Sequence, residues 1–144
     1  MADIVNTQWL YPPNWDGNPP EGQGWNSVTV RLQGKFGVAT AGESLVQKVD
    51  ISELRTHGGL ECTRTKILRC NYNVQGMSAI ELWWDRAPQV KALTMLGEGK
   101  ACFEKQGGLV DAGGGGTGDI LLSTIYAGDG AFYDITLRLG LKEE

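Results

Sequence analysis

At 144 residues the chain fits a single domain, long enough to bury about two thirds of its unfolded surface without disulfide or metal staples. Hydrophobic residues make up 41% and charged residues 21%, an ordinary balance for a folded globular domain that argues against a disordered chain. The net charge of −4, with 13 scattered Lys and Arg, argues against a dedicated nucleic-acid binder; the apolar runs are far short of the ~20 residues that cross a bilayer.

Residues 1–10, MADIVNTQWL, have neither the basic nor the apolar segment of a secretory signal and read as an extended arm or an edge strand. Residues 11–25, YPPNWDGNPPEGQGW, hold four of the five prolines. Proline fixes φ and removes backbone donors, so neither a helix nor a central strand suits this stretch. It reads as an ordered Pro/Trp loop or an arm that orders on a partner. We therefore divide the chain into an arm and loop over 1–26 and a β domain over 27–144.

From residue 28 the pattern changes. Val28, Val30 and Leu32 alternate with Thr29, Arg31 and Gln33, as a half-buried strand requires. A second strand is expected over 45–51, and a single helical turn over 52–56 before His57. The stretches 63–74 and 77–84 read as a hairpin turning at Gln75-Gly76, and 90–96 with 100–104 as another turning through 97–99. After the glycine run at 113–118, Ile120–Ile125 and Tyr133–Leu139 read as a closing hairpin. With 21 glycines, about twice the usual share, and almost no helical period, the pattern predicts an all-β fold. The expected form is a two-sheet β-sandwich or jelly roll with glycine-rich turns and an extended N-terminal arm.

Catalytic and metal-binding patterns are weak. Cys62, Cys70 and Cys102 cannot all pair within one chain and match no zinc spacing, so reduced thiols are expected, as in a reducing cytosol. Asp111 to Asp119 lacks the alternating ligands of an EF-hand, and Gly118-Asp119 opens a strand where a P-loop would open a helix. His57 has no acid partner in sequence and reads as a turn residue. Neither cofactor, metal nor enzymatic activity is expected. The aromatic residues stand out instead: Trp9, Tyr11, Trp15 and Trp25 in or beside the N-terminal block, and Trp83, which must point away from the face that Ile80, Leu82 and Trp84 share. Aromatics outside a regular alternation serve as partner anchors, as sugar-stacking platforms or as a lid on the chain's own core. These five are the candidate partner-binding residues.

Six segments in the same order, MADIVNTQ, VQKVDISEL, NVQGMSAIELWWD, GGLVD, GGTGDILLST and YDITLRLGLK, give the chain a family likeness. It resembles small virion structural proteins of tailed bacteriophages, of the capsid decoration or cement type. The Pro/Trp block at 11–25 departs from that pattern. The resemblance implies a non-enzymatic protein on the capsid exterior, assembled in the host cytoplasm. Its partners would be the major capsid protein and copies of itself, as a homotrimer at three-fold positions, without nucleic acid or membrane. The competing reading is a head-fibre, tail or receptor-binding module with a carbohydrate-binding β-sandwich.

Overall fold

A computed structural model describes residues 3–11, 27–38, 42–50, 64–85, 89–110 and 119–142. The expected helical turn over 52–56, His57, Cys62, most of the Pro/Trp loop with Trp15 and Trp25, and the glycine run at 113–118 lie outside these residues. The chain is all-β: nine strands in two antiparallel sheets, with a single 3-10 turn at Glu104–Gln106 and no α-helix among the described residues. The strands are β1 (Ile4–Tyr11), β2 (Ser27–Lys35), β3 (Val46–Val49), β4 (Arg64–Gln75), β5 (Ala79–Trp84), β6 (Val90–Met95), β7 (Gly97–Cys102), β8 (Ile120–Ile125) and β9 (Phe132–Lys142). One sheet runs β1-β2-β9-β4-β7 and the other β3-β8-β5-β6.

Alternation decides which faces turn inward. Val28, Val30 and Leu32 of β2 lie opposite Leu139, Leu137 and Ile135 of β9, and all are fully buried. Ile80, Leu82 and Trp84 of β5 are buried with Ile120 and Leu122 of β8. Both sets belong to one hydrophobic cluster, and Cys70 of β4 touches Met95 of β6 from the other sheet at 3.4 Å. Truncating any of these leucines to alanine costs about 2–5 kcal/mol. In β8 Leu121 and Ser123 are buried as well, so the strand is covered on both sides.

The three expected hairpins do not form. β4 pairs with β7 and β9 while β5 pairs with β6 and β8, so the turn after Gln75 carries the chain from one sheet to the other. β6 and β7 also lie in different sheets, as do β8 and β9. The reason is that a short glycine turn can close a ladder or step between layers, and alternation within a strand does not distinguish the two. At Gly76 the step needs φ of +79°, and a Cβ there would meet the Cα of Ala131 at 2.8 Å. Residues 4–11 take the edge-strand form, paired along β2 from Ile4 opposite Lys35 to Trp9 opposite Val30.

Gly34 lies opposite Tyr133, whose ring packs across the glycine where a Cβ would collide with Cε1. The same ring sits 6.0 Å from Phe36 at 43°. Gly34→Ala is expected to displace the ring and cost about 1–3 kcal/mol, read as a lower urea midpoint at unchanged m-value.

Candidate partner-binding surfaces

Trp9 is buried, with only 9% of its surface exposed, and belongs to the core cluster. Its area therefore stabilises the chain itself. Tyr11, two residues on and past an irregularity in the β1–β2 register, is exposed. Trp83 occupies the outer side of the four-stranded sheet, opposite Leu121 of β8 and Lys91 of β6. The Lys91 ammonium lies 5.5 Å from the ring centroid and also pairs with Glu81. Stacking of this kind contributes about 0.5–1 kcal/mol at exposed sites. The Trp83 Nε1 is buried with no hydrogen-bond partner among the described residues. Trp9 and Tyr11 thus share β1, one buried and one exposed, and Trp83 lies on the other sheet.

Two surfaces escaped the sequence reading. The first is polar. Opposite its core side, the five-stranded sheet carries Arg31, Thr136, Asn71 and Lys100 in one cross-strand row and Gln33, Asp134, Asn73 and Glu98 in the next. Arg31 donates to both carboxylate oxygens of Asp134, at 3.0 and 2.5 Å. Those hydrogen bonds, and then the carboxylate charge, push the Arg31 guanidinium further above its ordinary value. A shallow groove of about 820 Å³ runs over both rows. Its amides, hydroxyl and neutralised ion pair can exchange hydrogen bonds with a polar ligand.

The second is a set of exposed apolar side chains toward one end of the two sheets. Ile4, Lys35 and Phe132 form a cross-strand row where β1 begins. The Asp3 carboxylate accepts from the Gly37 N–H at 2.8 Å, holding the β2 exit beside that row. The loop after β8 is tied to the same exit: Phe36 N–H donates to Ala131 O at 2.8 Å and Gly130 N–H to Phe36 O at 3.1 Å. This brings Ile4, Val38, Tyr126 and Phe132 to one end, all exposed. Tyr126 is 86% exposed and sits at φ of +52°, a conformation that costs a bulky residue about 1–3 kcal/mol. Its only sequence signal is a tyrosine directly before the Ala127-Gly-Asp-Gly130 turn.

Among the described residues no three His, Cys, Asp or Glu side chains converge as a metal site, and no helix is long and apolar enough to cross a membrane. Burial pushes the Cys70 thiol up to about 12, and burial followed by the bond to Glu43 raises the Tyr133 hydroxyl. Both groups belong to the core. No protein-family model, curated protein or solved structure matches the chain.

Proposed function

We propose that this chain is a non-enzymatic virion structural protein that decorates the exterior of a tailed-bacteriophage head and ties neighbouring major capsid subunits together. The observation that carries this reading is the strand order. Without β1, the sheets run β2-β9-β4-β7 and β3-β8-β5-β6, four strands each, with consecutive strands repeatedly crossing between sheets. We read that order as an eight-stranded jelly roll with β1 added at an edge, the sandwich architecture on which viral capsid and lectin domains are built. Fold alone does not fix function. The resemblance to decoration proteins and the apolar end at Ile4, Val38, Tyr126 and Phe132 point the same way. That end is the proposed shell contact, and the resemblance implies three copies per shell site. Such a protein works by buried area repeated in many copies.

The experiment is to add the purified chain to heads of the source virus that lack it, then sediment the heads. Wild-type chain is expected to pellet with heads at saturating, regular stoichiometry. The Tyr126→Ala/Phe132→Ser double variant should lose at least about 1–2 kcal/mol of binding, roughly ten-fold in affinity. Wild-type chain left in the supernatant, or equal binding by the variant, contradicts the proposal.

The polar groove supports a second reading, a glycan-binding head-fibre, tail or receptor-binding module. That reading expects saccharide binding that Asp134→Ala abolishes and no affinity for heads.

A further inference from the structure

We propose that β1 is a self-association edge, pairing antiparallel with β1 of a second copy about a two-fold axis at Thr7 and joining two five-stranded sheets into one. The proposal does not rest on the shell-binding reading. The two described sheets have four edge strands, and their defences differ. β3 has four residues and carries Lys48; β6 carries Lys91; β7 carries Glu98 and Lys100. Natural edges are kept from pairing by shortness and by charges of this kind. β1 is the longest of the four, eight residues with the sequence IVNTQWLY, and has no charge and no proline. Its one irregularity falls between Trp9 and Tyr11, leaving the stretch from Ile4 to Trp9 in continuous register.

The sequence of β1 is complementary to itself in a single register. An axis perpendicular to the sheet keeps the core sides of both copies together and must pass through a residue, not between two. Placed at Thr7, it sets Thr7 against Thr7, Asn6 against Gln8, Val5 against Trp9 and Ile4 against Leu10 of the second copy. Hydroxyl meets hydroxyl, amide meets amide and apolar meets apolar, the cross-strand pairs that stabilise antiparallel sheets. Moving the axis to Asn6 sets Ile4 against Gln8; moving it to Gln8 sets Asn6 against Leu10 and Thr7 against Trp9. Both registers oppose amide or hydroxyl to apolar side chains. Of the side chains that such pairing uses, Ile4, Val5, Asn6, Thr7, Gln8 and Leu10 are exposed, while Trp9 is held in its own core. Val5 and Thr7 alternate with the outward residues on the Trp9 side and are nevertheless exposed.

Pairing a strand this short buries less than the roughly 1,200 Å² of a standard interface. The free protein is therefore expected as a concentration-dependent dimer, in place of the trimer the resemblance implies. Sedimentation equilibrium of the full chain over a wide concentration series should move from one to two chain masses of 15.6 kDa each. Thr7→Lys, which sets two ammonium groups against each other across the axis, should remove the dimer and leave the circular dichroism spectrum unchanged. Thr7→Cys should crosslink to its own copy under mild oxidation, well above the wild-type background from Cys102 and the other native thiols, whereas Gln8→Cys should not. Three results overturn the proposal: wild type that stays monomeric at all concentrations, a trimer indifferent to Thr7→Lys, or equal crosslinking of Thr7→Cys and Gln8→Cys.

Discussion

Glu43→Ala is expected to lower the stability of the chain by about 3–5 kcal/mol, the cost of leaving a buried partner charge unpaired. Glu43 lies in the link between β2 and β3. Its carboxylate accepts from the Lys48 ammonium at 2.6 Å and from the Tyr133 hydroxyl at 2.5 Å. The Lys48 and Glu43 side chains are only 5% and 9% exposed, so water cannot take over these bonds. The backbone locks the same residue in place: Glu43 N–H donates to Thr124 Oγ1 at 2.9 Å, and Thr124 N–H donates to Glu43 O at 2.9 Å. Removing the carboxylate thus strands an ammonium and a hydroxyl at a point tying β9 of one sheet to β3 and β8 of the other. A fall in the thermal midpoint on the order of 10–20 °C corresponds to this cost. Glu43→Gln keeps an acceptor for Tyr133 and should lose less. The Glu43→Leu/Lys48→Met double variant should be more stable than Glu43→Ala, because it buries no unpaired charge. A Glu43→Ala midpoint within a degree or two of wild type would show that the pair contributes nothing.

Alkaline pH should destabilise the chain progressively from about pH 9 upward. Cys70 and Tyr133 are neutral when protonated, and burial raises both in the folded state, Cys70 from 9.0 to about 12 and Tyr133 upward from 10.0. The folded chain therefore holds these protons more tightly than the unfolded chain. The stability they confer is complete below about pH 9, declines from there for Cys70 and from about pH 10 for Tyr133, and is gone above the folded values. Each group removes about 1.4 kcal/mol per pH unit across its own window. By about pH 11 the combined loss is about 4 kcal/mol, a large share of the 5–15 kcal/mol typical of a domain. Urea midpoints measured from neutral pH upward should fall with this onset. Cys70→Val should flatten the segment between about pH 9 and 10, where of these two buried groups only Cys70 contributes, even if its packing beside Met95 changes the plateau. A wild-type plateau unbroken to about pH 11 would contradict this assignment of burial.

Much of the strand content was legible because one-sided burial imposes a period of two. Val28, Val30 and Leu32, then Ile80, Leu82 and Trp84, then Tyr133 to Leu139 announce their core faces in any arrangement of sheets. Strand partners were not legible. Gly76 and the link from Tyr126 to Ala131 looked like hairpin turns, because a step between layers uses the same short glycine-rich chemistry as a turn within one ladder. The polar groove was hidden for a related reason: Arg31 and Asp134 stand 103 positions apart and meet only through the β2–β9 register. Trp9 lies in a segment without strong alternation, and its burial follows from β1 joining the sheet. Tyr126 followed the strand pattern to its last residue and gave no sign of the left-handed backbone that turns it outward.

The decoration account meets its most direct test in an electron cryomicroscopy difference map between heads of the source virus with and without this chain. The account predicts density the size of one two-sheet domain on the outer surface, repeated over the lattice and bridging adjacent capsid subunits through the end that carries Tyr126 and Phe132. Density confined to the tail or to isolated fibres, or none on the shell, would contradict it.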